Sequence, residues 1–146
     1  MNKVVVISGY FNPLHGGHLD YIQAAAKLGN ILVVIVNNDK QVSIKGSKPF
    51  MKAEERLRII AALRDVDRVF LSIDGDGSVT ETLKSIYNYY ATDYFFDDMI
   101  FANGGDRTQE DSPEEDYCKW RKIKTAYGVG GEKTTSSREL LKNYED

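Results

Sequence analysis

Cysteine is almost absent from this 146-residue chain: Cys118 stands alone, so no disulfide can close within it, and a reducing, cytoplasmic setting is the expectation. Excess charge is lacking too. Nineteen basic against 22 acidic side chains leave a net −3, which gives no general attraction to nucleic acid or to an anionic membrane. No run approaches the roughly 20 apolar residues that a membrane span needs. The opening Met1-Asn2-Lys3 before Val4 to Ile7 is too short for a signal peptide and has no small-residue cleavage site. Internal repeats, linkers and low-complexity tracts are missing. What is present is the apolar and charged content of an ordinary globular protein, with enough length for one domain over residues 1–146 and a real core.

Apolar runs of strand length alternate with segments of helical spacing. Val4 to Ile7, the β-branched run Ile31 to Val36, Val69 to Ile73, Met99 to Ala102 and Ile123 to Val129 read as five strands. Between them, Leu19, Ile22, Ala26 and Leu28 predict a first helix that Gly29 is placed to end. A polar loop is expected from there through Pro49. Leu57, Ile60 and Leu63 then mark a second helix, and Val79, Leu83, Ile86, Tyr87 and Tyr90 a third. Ser112-Pro113-Glu114-Glu115 has the makeup of a helix start, and a closing helix is expected from Ser136 to Tyr144. This alternation predicts an α/β domain: about five parallel strands with helices on both faces. Ligands of such sheets bind at the carboxyl ends of the strands, so the residues just after each strand are the ones to inspect.

Histidine is as scarce as its placement is telling. Both histidines of the chain fall in the segment after the first strand, Ser8-Gly9-Tyr10-Phe11-Asn12-Pro13-Leu14-His15-Gly16-Gly17-His18. Three residues apart, they share a face of the opening turn of a helix, where exposed N–H groups and a partial positive charge suit phosphate. Gly9, Gly16 and Gly17 remove side chains where backbone would approach a ligand. The two imidazoles could then donate hydrogen bonds to α- and β-phosphate oxygens. A structural zinc site asks for four protein ligands and a catalytic one for three. With only Cys118 to add, no protein-held metal is expected.

The stretch from Gly9 to His18 resembles the HxGH signature of the cytidylyltransferase-like nucleotidyltransferase superfamily, which includes glycerol-3-phosphate cytidylyltransferases and heptose-1-phosphate adenylyltransferases. That resemblance implies a single Rossmann-like domain in which Gly9, Tyr10, Phe11 and Gly17 border the nucleotide. It implies that His15 and His18 stabilise the transition state of attack at the α-phosphorus. Further segments resemble the family in order. Val36 to Gly46 is similar to a loop carrying an acidic residue and a phosphate-binding lysine, which would be Lys45. Glu55-Arg56 is similar to an ER pair whose arginine faces the substrate phosphate. Ile100 to Arg107 is similar to the GGD segment, which puts Gly105 and Asp106 beside ribose and base. Gly130 to Arg138 is similar to the ISSTxxR signature, in which Thr135, Ser136 and Ser137 would hold the β- and γ-phosphates.

Rival motifs fail on single residues. A calcium loop beginning at Asp74 would need glycine at Val79 and glutamate at Ser85; a turn with a helix cap at Ser78 is the better reading. Glu132 stands where a Walker A loop needs glycine, and no GxGxxG follows the first strand. The resemblance therefore implies transfer of CMP or AMP from CTP or ATP, with Mg²⁺ accompanying the triphosphate, to a phosphorylated small molecule of sugar- or polyol-phosphate type. Pyrophosphate would be released by in-line attack, in a protein expected to form a homodimer. The alternative is a catalytically inactive nucleotide-binding regulatory protein of the same fold.

Overall fold

A computed structural model describes residues 2–93, 98–105, 107–131 and 141–142. The order of elements is β1 (Lys3–Gly9), α1 (Gly16–Ala26), β2 (Ile31–Val36), α2 (Asp39–Ile44), α3 (Ala53–Ala61), β3 (Arg68–Leu71), α4 (Thr80–Asp93), β4 (Asp98–Gly104), a 3₁₀ turn Gln109–Asp111, α5 (Glu115–Arg121) and β5 (Lys124–Val129). Among the described residues the strands form one sheet in the order β3-β2-β1-β4-β5, parallel throughout. No helix among them is long and apolar enough to cross a membrane.

Strand alternation divides the core into two layers. On one face Val4, Val6, Val33 and Ile35 pack against Val79, Leu83, Ile86 and Tyr90 of the α4 segment and against Tyr117 and Cys118 of α5. On the other, Val5, Ile7, Leu32 and Val34 meet Ile22 and Ala25 of α1 and Ile60 of α3. Both faces being covered is why β1 and β2 read as unbroken apolar runs rather than alternating ones.

The predicted strands and the helices before residue 132 are present, with several shifts. The polar stretch after β2 is not all loop: Asn38 caps a six-residue helix, α2, accepting from the Gln41 N–H while the Gln41 side chain answers the Asn38 N–H. Gly29 does not end α1, which stops at Ala26 with Lys27 as its cap. Glycine is required at position 29 because a Cβ there would lie 2.6 Å from the Lys3 carbonyl oxygen. The third strand stops at Leu71, leaving Ile73 exposed beyond it. α5 starts at Glu115, two residues later than the Ser112-Pro113 signal suggests, because the Ser112 hydroxyl donates to the Glu114 carboxylate instead of capping. Before α4, Asp74 does most of the capping, accepting from Glu81 and Thr82 N–H, while Ser78 reaches only Thr80 N at 3.4 Å. The closing helix falls largely outside the described residues.

Candidate active site

The direction of chain crossover reverses between β1 and β4, which are neighbours in the sheet. Beyond their carboxyl ends lies a cleft of about 1020 Å³, at the upper end of the size of small-molecule sites. Its lining comes from the end of β1 and the segment after it (Gly9, Tyr10, Asn12, His15), from α1 (Gly17, His18, Asp20, Tyr21) and from the loop before α3 (Lys45 to Lys48). The start of α4 adds Gly77 and Val79, the segment after β4 adds Asn103 to Gly105, Arg107, Asp111 and Glu114, and the chain after β5 adds Gly130, Gly131, Leu141 and Lys142.

The two histidines are the most tightly defined part of it. Their rings stack with centroids 3.8 Å apart and 26° between planes. His15 is the N-cap of α1, its Nδ1 accepting from Gly17 N–H at 3.1 Å, and His18 Nδ1 accepts from His15 N–H at 3.1 Å. A nitrogen that accepts a backbone N–H cannot carry a proton, so the hydrogen of each neutral ring resides on Nε2. Both histidines line the cleft at the head of a helix, where exposed N–H groups and the helix dipole suit an anion. Gly17 makes this fold-back feasible, since a Cβ there would come within 3.0 Å of the His15 ring.

The other expected site residues divide. Tyr10 and Gly105 line the cleft, the latter at φ +63°, where glycine is favoured. Lys45 lines it too, as the C-cap of α2 with Nζ 4.2 Å above the Tyr10 ring. Phe11 does not reach the cleft. It is buried in the core at φ +50°, its ring edge-on to His18 with centroids 4.9 Å apart. Gly9 lines the cleft and also makes room for that ring, since a Cβ there would meet it at 2.6 Å. Arg56, expected to face the substrate phosphate, is fully buried and does not line the cleft. Its guanidinium donates to Met51 O, Tyr10 O and Asn37 O and pairs with Asp39 at 2.6 Å. It ties the ends of β1 and β2 to the segment before α3. Asn12 acts beside it, accepting from Phe50 and Met51 N–H and donating to Lys48 O. Asp106, Thr135, Ser136 and Ser137 lie outside the described residues.

Several cleft residues carry no signal of their own in the sequence. Tyr21 donates from its hydroxyl to Ala102 O at 2.6 Å, locking α1 to the end of β4, and burial pushes that hydroxyl's pKa well up. Its ring and backbone explain Gly104 and Gly130, where a Cβ would come within 2.8 Å of it. Arg107 sits across the cleft in an ion pair with Glu114 at 3.3 Å. The Tyr10 hydroxyl, raised first by burial, is lowered by Arg107 and raised by Glu114, so all three stand within electrostatic reach. Cys118 is in the opposite core layer from α1 and cannot join the histidines around a metal.

The cytidylyltransferase-like family model matches residues 6–146. The chain belongs to the cytidylyltransferase-like family. Membership places it among nucleotidyltransferase domains. It is 42% identical over 104 residues to the bifunctional protein HldE of Gluconobacter oxydans, covering 69% of this chain and 22% of that protein. It is 43% identical over 74 residues to an FAD synthase of Ferroglobus placidus, covering 51% and 48%. The chain thus spans from about a fifth to about half the length of these curated relatives. A lipopolysaccharide core biosynthesis protein from Thermoplasma volcanium superposes with a TM-score of 0.68 at 27% identity, over 88% of this chain and 98% of that one.

Proposed function

We propose that the chain transfers a nucleoside monophosphate from ATP or CTP, taken up as its Mg²⁺ complex, to a phosphorylated small molecule of sugar- or polyol-phosphate type. The observation that carries this reading is the stacked histidine pair, which lines the cleft at the head of α1 with each Nδ1 engaged by backbone, so that Nε2 is the donor position of each neutral ring. An oxygen of the acceptor phosphate attacks the α-phosphorus. The bond to the α–β bridging oxygen breaks, and pyrophosphate leaves with the electron pair. The attacking phosphate is already an anion, so no base is needed, and catalysis rests on position and charge.

The charge problem is large. Two unit charges 4 Å apart repel by roughly 4 kcal/mol at an effective dielectric of 20. In this reading the histidines meet the leaving side, and Lys45 and Arg107, which line the same cleft, offer positive charge. The name of one relative, FAD synthase, contains an adenine nucleotide and favours ATP.

The test is pyrophosphate release from each of ATP, CTP, GTP and UTP with Mg²⁺, against a panel of sugar, polyol and flavin phosphates. Turnover is expected with ATP or CTP. His18→Ala should lower it by about 10²–10³, the usual cost of losing one transition-state donor. Binding without turnover for every acceptor would favour the inactive regulatory reading. Near-normal activity of the alanine variant would sink the mechanism.

A further inference from the structure

The cleft has two unlike walls. α1, with His15 and His18 at its head, packs on the Val5 and Ile7 face of the sheet. α4 and α5 pack on the Val4 and Val6 face, and Val79 and Glu114 lie at their starts. The histidine pair and the Arg107–Glu114 pair therefore confront each other across the carboxyl ends of β1 and β4. In-line displacement requires the entering and leaving oxygens on opposite sides of phosphorus. With pyrophosphate leaving toward α1, the acceptor must arrive from the α4 and α5 side.

Arg107 is built into that side. Glu114 has a side chain only 1% exposed, and it is held from three directions. Its carboxylate accepts from Val79 N–H at 2.9 Å, from Ser112 Oγ at 3.3 Å and from Arg107 Nη1 at 3.3 Å. A buried carboxylate needs such partners, and here it fixes one corner of a guanidinium whose side chain remains 37% exposed, in the cleft. Among the described residues this is the one hydrogen bond the guanidinium makes. The rest of its planar fork has the shape that matches two oxygens of a phosphate.

We propose that Arg107, oriented by Glu114, is the anchor for the acceptor's phosphate monoester. The inference rests on the nucleotidyl-transfer reading and deepens it. Arg107 recognises the same phosphate whose oxygen attacks, Lys45 and Tyr10 flank it, and acceptors without a phosphate are poor substrates.

The test separates this from the parent reading. Protein saturated with α,β-methylene-ATP or α,β-methylene-CTP and Mg²⁺ is titrated calorimetrically with inorganic phosphate and with glycerol 3-phosphate. Wild type should bind both probes. Arg107→Leu should weaken them by about tenfold or more, as the loss of a charged hydrogen-bond donor does. Its affinity for the nucleotide analogue should stay within about twofold of wild type. Arg107→Lys keeps the charge but not the fork, and an intermediate loss is expected; it carries the test if the leucine variant does not fold. Unchanged phosphate affinity in both variants overturns the proposal, as does a loss that falls on the nucleotide instead. Failure of wild type to bind phosphate while it binds nucleotide does the same. Failure to bind any nucleotide analogue overturns the transfer reading and this inference with it.

Discussion

Replacing Arg56 with methionine distinguishes a buried rivet from a substrate-facing cation. Methionine fills the channel of the arginine stem but donates nothing, so Tyr10 O, Asn37 O and Met51 O each lose a charged donor. Asp39 loses its partner as well, but its side chain is 41% exposed and can rehydrate. The carbonyls dominate the cost. Unsatisfied buried acceptors cost about 1–3 kcal/mol each, and breaking one side of a buried ion pair about 3–5 kcal/mol overall. A loss of about 3–4 kcal/mol is expected, because Met51 and Tyr10 are only partly buried and water can replace some of it. At ~2.1 cal/mol/K per residue, 146 residues have an unfolding entropy of ~0.3 kcal/mol/K, so Tm should fall by about 10–13 °C. Calorimetry on wild type, Arg56→Met and Arg56→Lys is the assay, with lysine losing roughly half as much because it replaces only part of the hydrogen bonding. Activity alone would not discriminate, since loosening Tyr10 and the segment before α3 also disturbs the cleft. A Tm shift below about 3 °C in a cooperative transition, with substrate binding lost, would refute the structural role and restore Arg56 to the phosphate.

Gly16 is the first residue of α1, and a Cβ added there would meet nothing within 4 Å. Gly16→Ala should therefore hold or raise Tm by a degree or two while weakening nucleotide binding if backbone meets phosphate there. A fall of several degrees would show that the space is needed by the fold itself. Cys118 is buried, and burial first, then Glu115 and Glu114, pushes its thiol up from 9.0 to about 12. The folded state thus favours the protonated thiol; that contribution is complete below pH 9 and is lost as pH rises toward 12. Urea midpoints should therefore fall more steeply over that window for wild type than for Cys118→Ala, and equal slopes would contradict it.

The histidine pair is legible in the sequence because its geometry is local: spacing, glycines and the preceding apolar run together define a helix head. α2 is equally legible in principle, since Asn38 and Gln41 spell a capping box, but six residues leave too little periodicity to notice. Arg56 is not. Its partners Tyr10, Asn37 and Asp39 lie 46, 19 and 17 residues away, so from the chain it looks like any charged residue in the first turn of a helix. Phe11 escapes for a related reason: an aromatic in a binding loop points in or out according to a backbone angle that the residue type does not reveal.

By itself, then, the sequence determined the parallel α/β architecture, the strand that bears the site and the imidazoles at its end. These depend on periodicity and nearest neighbours, which the chain carries directly. Only the tertiary structure decided which cations face the cleft. Burial of Arg56 and presentation of Arg107 by Glu114 arise from contacts between separate elements, and a charged side chain takes its role from the carbonyls and carboxylates it meets there.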